Sequence, residues 1–248
     1  MLKKGFLAVW LPATILVGWQ TLVAVGVLDP LFFPPPSALV TATGSLVKSG
    51  ELGKHLQATV TRLLVGFVLG SSIGLICGVL MGAVEGVRKS IEPLVSALNA
   101  TPKLSLLPML MLLLGVGESP RTVLIAAGSF VMLAIHGLDA VRGISPGYLD
   151  LARNYGASPA MVFRKVYIPA SLPQVFTGLR IALGRALTVT IALELVSCPD
   201  GIGSMIWMAW QTFSTERLYV GVITSALLGA LCHNWLARLE RRLIPWKG

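Results

Sequence analysis

The chain has 248 residues, of which 54% are hydrophobic and 12% charged, with a mean hydropathy of +0.78. A soluble domain carries about 25% charged residues, so an ordinary soluble globular domain is excluded. The net charge of +9 would suit nucleic acid, but its placement along the chain, taken up below, argues for a membrane and against a nucleic-acid partner.

Apolar runs read as spans at about 6–28, 57–82, 94–116, 121–141, 174–197 and 219–237, each near the roughly 20 residues needed to cross a bilayer. The expected fold is therefore an all-α polytopic membrane protein with about six transmembrane helices. The first run follows Lys3 and Lys4. It is long for a signal peptide and has no small-x-small cleavage site, so it reads as an uncleaved helix. In "DPLFFPPPSALV", Pro34 to Pro36 remove donors and fix φ, which ends that helix. Ser37 then opens a short amphipathic segment to about Lys48. The division this suggests is 1–56 for the first helix and its amphipathic segment, and 57–248 for the core.

The second span carries Gly66, Gly70, Gly74, Gly78, Gly82 and Gly86, each four residues from the last. Such a small-xxx-small face lets membrane helices approach closely. It serves packing within the chain, or a dimer contact. The third span contains Pro102, Lys103 and Pro108. Proline inside a helix frees carbonyls that must face protein or water, and breaks of this kind mark transport paths. Lys103 either faces the interior with a path or pairing role, or snorkels to the interface.

Ser-Pro pairs then start three helices, at Ser119-Pro120, Ser145-Pro146 and Ser158-Pro159. The last two enclose a polar insert, "LDLARNYGASPAMVFRKVYIPASLP", with Asp150, Arg153, Arg164 and Lys165. It reads as short helices at about 146–155 and 159–167, with Gly156 as the left-handed stop between them and Pro169 ending the second. The fifth span holds Arg180, close to its cytoplasmic end where a cation snorkels, and deeper Arg185 and Glu194, which either pair structurally or contact what the protein carries. "SCPDGIGSMIWMAWQTF" follows as an outer-surface helix, and "RLERRLIPWKG" closes the chain.

With the N-terminus cytoplasmic, one side receives twelve basic residues: Lys3, Lys4, Arg88, Lys89, Arg142, Arg153, Arg164, Lys165, Arg238, Arg241, Arg242 and Lys247. The other receives four, Lys48, Lys54, Arg121 and Arg217. This is the positive-inside bias, and it puts the polar insert and both termini in the cytoplasm.

Nothing here suggests catalysis. The three histidines, His55, His136 and His233, and the three cysteines lack metal-ligand spacing. Cys77 and Cys232 read as small apolar core residues. "GELGKH" is no phosphate loop, lacking the first Gly and the Ser/Thr. The chain is expected to hold no metal and no cofactor, so energy for uphill movement comes from another chain or from an ion gradient.

The insert resembles the EAA loop, E-A-A-x3-G-x9-I-x-L-P, of binding-protein-dependent ABC importer permeases. Asp150, Leu151 and Ala152 stand for E-A-A, Gly156 is in register, and Val166, Ile168 and Pro169 complete the pattern. "FFPPPSALV", "GELGKHLQATVTRLLVGFVLG", "LGVGES", "LPQVFTGLRIALG", "ELV…GIG" and "LERRLIPW" are similar to the nitrate/sulfonate/taurine/bicarbonate branch of that family.

The resemblance implies a type I importer transmembrane domain, not an enzyme, in the bacterial cytoplasmic membrane. It implies a second permease copy, two cytoplasmic ATPase subunits that bind ATP and Mg, a periplasmic or lipid-anchored solute-binding protein, and membrane lipid. The loop 145–170 would dock the ATPase through Asp150, Ala152, Arg153, Tyr155, Gly156, Ala157, Ser158 and Pro169. Lys103, Pro108, Arg185 and Glu194 would serve the translocation path or charge pairing. "NATPKLSLLPML" departs from the relatives' "R-x-x-P-x-x-A-x-x-P-L": Asn99 replaces an Arg and Lys103 adds a charge. The solute is therefore open among small anions, aromatic acids, pyrimidines and amino acids. An ion-coupled secondary transporter would use the buried charges but leave the loop without a purpose.

Overall fold

The computed structural model describes residues 2–246, with side chains from residue 10 onward except at residue 153. The side chains of Lys3, Lys4 and Arg153, and Lys247 altogether, lie outside the described residues. Among those described, every regular element is helical. In chain order these are α1 (Leu2–Ala24), α2 (Pro36–Lys48), α3 (Glu51–Ala83), α4 (Glu85–Ala100), α5 (Leu107–Leu114), α6 (Glu118–Arg142), α7 (Pro146–Asn154), α8 (Pro159–Val162), α9 (Ile168–Ser197), α10 (Ile202–Gln211) and α11 (Thr215–Leu243). A 3₁₀ turn, Lys103–Leu106, joins α4 to α5, and a π-helical stretch, Phe163–Tyr167, joins α8 to α9.

The helices α3, α6 and α11 are each long and apolar enough to cross a membrane, and two bent pairs, counted as one span each, bring the candidate spans among the described residues to five. The first expected span, 6–28, corresponds to α1, whose apolar part Trp10–Ala24 is shorter. The bent pairs are α4 with the 3₁₀ turn and α5, at 93°, and Pro159–Ser197 with α10, at 43°. The third expected span is thus two helices nearly at right angles. Thr101 and Pro102 make the corner, both in extended backbone. Pro108 does not break anything: it lies in the first turn of α5, where its missing N–H has no partner to lose.

By internal contacts the chain groups into two units, Met1–Thr59 with Glu194–Ala226, and Val60–Leu193 with Leu227–Gly248. In the first unit the proline-rich connection is tied down by polar contacts at its two ends. The Ser37 amide donates to Gln20 Oε1 at 3.2 Å. Tyr219 sits 5.6 Å from the Trp19 ring, and its hydroxyl donates to the Phe32 carbonyl at 3.1 Å. Pro36, at the first position of α2, starts that helix one residue before the expected Ser37.

The second unit is organised by α3 against α6. A Cβ on Gly70 would collide with the Ala126 backbone, and one on Gly74 with that of Phe130. At Gly66 and Gly82 the obstruction would be Ile125 and Val141, and Gly78 faces Ala134 and Gly137. Five of the six spaced glycines therefore serve packing within the chain, with Gly86 in open space. Leu63, Leu124, Ile125, Leu133 and Leu183 fill the core around this ridge. Helix α6 begins at Glu118 with Gly117 as its cap, so Ser119 does not cap it as expected.

Candidate functional site

The segment 145–170 has the expected helix–glycine–helix form. Helix α7 ends at Asn154, Gly156 has φ +71°, and the Ala157 amide reaches back to the Ala152 carbonyl at 3.0 Å. Ser158 caps α8 by accepting from the Met161 amide at 3.3 Å, with Pro159 behind it. These are the local rules for a left-handed glycine stop and a Ser-Pro start. Pro169 does not end the second helix. The π-helical stretch runs directly into α9, and Pro169 stands in the first turn of α9. The wider π turn absorbs the donor that proline lacks, so the polar insert is rigidly continuous with the fifth span.

The outer surface of this segment carries aromatic and aliphatic side chains beside the exposed Asp150, Arg164 and Lys165. Tyr155 is 84% exposed, with Tyr148 and Leu151 also exposed. A cavity of about 550 Å³ opens between α7, the π stretch and the start of α9, lined by Tyr148, Ala152, Tyr155, Lys165, Pro169 and Trp246 among others. Exposed aromatics around a concave apolar surface are the composition of a protein-docking patch. A Cβ added at Gly156 would meet nothing within 4 Å, so backbone shape alone holds this position open.

Lys103 and Arg185 come together in a second, smaller cavity of about 90 Å³. Asn99, Gly128, Met132 and Val189 complete much of its wall, and among the described residues no acidic side chain lines it. Lys103 sits at the corner after α4, where its ammonium donates to the carbonyls of Leu98 (3.0 Å), Asn99 (3.1 Å) and Thr101 (3.4 Å). A cation at a helix C-terminus satisfies orphan carbonyls and meets the negative end of the dipole. Arg185 makes one hydrogen bond among the described residues, Nη1 to the Met132 sulfur at 3.1 Å. Pro108 does not line this cavity.

Glu194 lies elsewhere, in the first unit, and is 1% exposed. Its Oε2 accepts from Thr59 Oγ1 at 2.8 Å and from the Gly203 amide at 3.0 Å. Thr59 Oγ1 in turn accepts from the Ile202 amide at 2.8 Å. His55 Nδ1 lies 2.8 Å from the Gly201 carbonyl oxygen and 3.1 Å from the Gly201 nitrogen. Gly201 has φ +113°, and a Cβ there would strike the Glu194 carboxyl. The carboxylate therefore caps the N-terminus of α10, where it satisfies orphan amides and complements the helix dipole.

Two further charge groups are not visible as pairs in the sequence. Arg180 forms an ion pair with the buried Glu240 of α11. Glu118 accepts a bidentate pair from Arg62, at 2.7 and 2.9 Å, and a bond from Arg121 at 2.8 Å. Fork-to-fork geometry of this kind makes strong, directional pairs.

Residues 70–245 match the family described as the binding-protein-dependent transport system inner membrane component. The chain belongs to this family. The permease is 33% identical to SsuC of Bacillus subtilis (strain 168), provisionally named an aliphatic sulfonates transport permease protein, over 98% of this chain and 87% of that one. It is 31% identical to the taurine transport system permease protein TauC of Escherichia coli (strain K12), over 95% of this chain and 88% of that one. Among solved structures it is similar to a chain of the inward-facing MetNI methionine ABC transporter, with a TM-score of 0.66 at 21% identity. That match covers 74% of this chain and 92% of the other. A chain of a bacterial ABC transporter for the acidic polysaccharide alginate gives 0.67 at 16%, over 97% and 98%. These solved structures establish the fold, a type I importer transmembrane domain. As a permease subunit of an ABC importer, the chain works with an ATPase and a solute-binding protein, and ATP hydrolysis resides outside it.

Of the residues read from the sequence, Asp150, Ala152, Tyr155, Gly156, Ala157, Ser158 and Pro169 are gathered in one segment of the permease, and Lys103 with Arg185 in another. Sequence reasoning misses His55, Thr59, Gly128, Met132 and Glu240. Only the short distance of Asn99 from Lys103 along the chain is a usable signal for the cavity wall.

Proposed function

We propose that the permease forms, as a homodimer in a bacterial cytoplasmic membrane, the path by which a small organic or inorganic oxyanion enters the cell. The sulfonate and taurine class is its leading solute. Two ATPase subunits hold ATP and Mg and dock on the 145–170 segments. A periplasmic or lipid-anchored protein delivers the solute from the other face. Both termini lie in the cytoplasm, as the twelve-to-four distribution of basic residues favours.

The observation that carries this reading is the pairing of near full-length similarity to sulfonate and taurine permeases with a cavity that presents two cations and, among the described residues, no carboxylate. Closure of the ATPase dimer on ATP draws the two docking segments together. Because the π stretch runs into α9 without a break, that movement reaches the span bearing Arg185 as a rigid-body swing.

The test is reconstitution of the permease with its ATPase and binding protein in proteoliposomes. Import of labelled taurine or ethanesulfonate that depends on ATP supports the reading. Import confined to an aromatic acid, a pyrimidine or an amino acid replaces the solute class. Orientation is checked with single cysteines at Ser49 and Ser158 in a cysteine-free background. Ser49→Cys should label from outside, and Ser158→Cys only after permeabilisation; the reverse pattern overturns the topology and the docking assignment together.

A further inference from the structure

We propose that Lys103 and Arg185, with Asn99 and the open side of Gly128, form a contact site for the oxyanion head of the solute in transit. This rests on the anion-import reading above and assigns the place where the path meets the charge.

Four observations carry it. The first is charge: two cations face one cavity whose wall, among the described residues, holds no acidic side chain, an arrangement that repels itself until an anion enters. The second is spare donors. Arg185 has five N–H groups, yet its one hydrogen bond among the described residues goes to the Met132 thioether, a weak acceptor. A sulfonate or carboxylate oxygen would take those donors as a charge-assisted pair, and the flexible methionine side chain can turn aside. Lys103 spends its donors on carbonyls, so it contributes field rather than hydrogen bonds.

The third is size. About 90 Å³ is room for a few waters, which suits a compact oxyanion head. The fourth is depth. Helix α9 has 30 residues, about 45 Å at 1.5 Å per residue, and Arg185 lies close to its midpoint. A charge at that depth is costly unless it faces a partner or a watered path. Unlike the glycines packed against α6, Gly128 leaves its Cβ direction open, with nothing within 4 Å, so a side chain can begin there and take up cavity space.

The test uses the reconstituted complex with taurine and ethanesulfonate as probes. Arg185→Gln and Gly128→Leu should lower the maximal import rate about tenfold, and Lys103→Gln about threefold. The half-saturating solute concentration should stay within twofold, because the binding protein sets it. Arg185→Lys should recover part of the rate. Arg185→Gln and Gly128→Leu complexes that co-purify in wild-type stoichiometry and import within twofold of wild type overturn the site. Should a variant fail to assemble, Gly128→Cys in a cysteine-free background replaces it: ethanesulfonate under turnover should slow its thiol labelling at least threefold. Labelling that is unchanged by ethanesulfonate overturns the site. Labelling that follows anionic-lipid content instead of solute assigns the cavity to a lipid head group and also overturns it. A wild-type complex that imports no oxyanion sinks the anion-import reading itself, whereas import that ignores these variants sinks this site alone.

Discussion

Glu194 and Arg185 stand nine residues apart on α9, and the chain surrounds their charges in opposite ways. The carboxylate is 1% exposed, and each donor near it is fixed in place: a hydroxyl from α3, an amide from α10, and a glycine whose missing side chain makes the room. Arg185 is exposed, and its guanidinium faces a cavity and touches a thioether. Buried polar groups are normally satisfied because an orphan costs about 1–3 kcal/mol. A charge with all its partners holds structure together, and a charge left with spare donors is available for a ligand. The same helix thus carries one anchor and the proposed contact point.

Substitutions should separate the two. The largest effect is expected at Gly201. Valine there meets the Glu194 carboxyl and must adopt φ +113°, so Gly201→Val should cost about 3 kcal/mol or more by the strain and overpacking scale. It should be read as loss of folded complex in size-exclusion chromatography. Gly156→Val is the control, because Gly156 is also left-handed, at φ +71°, but stands in open space. Backbone strain of about 1–2 kcal/mol should leave membrane insertion intact while ATPase docking and solute-stimulated ATP hydrolysis are lost. A Gly156→Val complex that assembles fully and hydrolyses ATP in response to loaded binding protein would remove the docking role.

Next comes Glu194→Gln, which keeps an acceptor oxygen but loses the charge that complements the α10 dipole. A loss of about 1–2 kcal/mol should appear as a lower melting temperature, with import per folded complex preserved. Normal stability with failed import would move Glu194 from anchor to path. The smallest stability change is expected for Arg185→Met, within about 0.5 kcal/mol, since one weak bond to sulfur is all it surrenders. A melting temperature that falls as far as that of Glu194→Gln would erase the contrast.

Much of the fold was legible because it is local or periodic. Apolar runs give the helices, the glycine spacing gives a close-packing face, and the Ser-Pro and Gly156 signals give the helix–glycine–helix segment. What stays ambiguous in the sequence depends on a neighbour. Pro169 and Pro108 could each end a helix or begin one, since proline is excluded from helix interiors and welcome in first turns; Pro108 begins one, and Pro169 stands where the π stretch runs on into α9. One partner of Glu194 lies 135 residues away at Thr59 and cannot be inferred from spacing. Arg180 reads as a lone cation near a helix end because its partner, Glu240, sits among the basic residues that close the chain. Lys103 and Arg185 each stand out as intramembrane charges. Their shared cavity appears only once the 93° corner at Thr101–Pro102 turns Lys103 toward α6 and α9.

The glycine ridge has a consequence for register. With a glycine at each fourth position, a slide of α3 by one repeat along α6, about 6 Å at 1.5 Å per residue, would again place glycines at the close approach, though beside different neighbours. The glycine spacing alone is degenerate along that track. The bidentate pair between Arg62 and Glu118, with Arg121 closing on the same carboxylate, occurs at one end of it and is not repeated one step along. The ridge sets how near the two helices come; the arginine fork sets which of the equivalent notches they occupy.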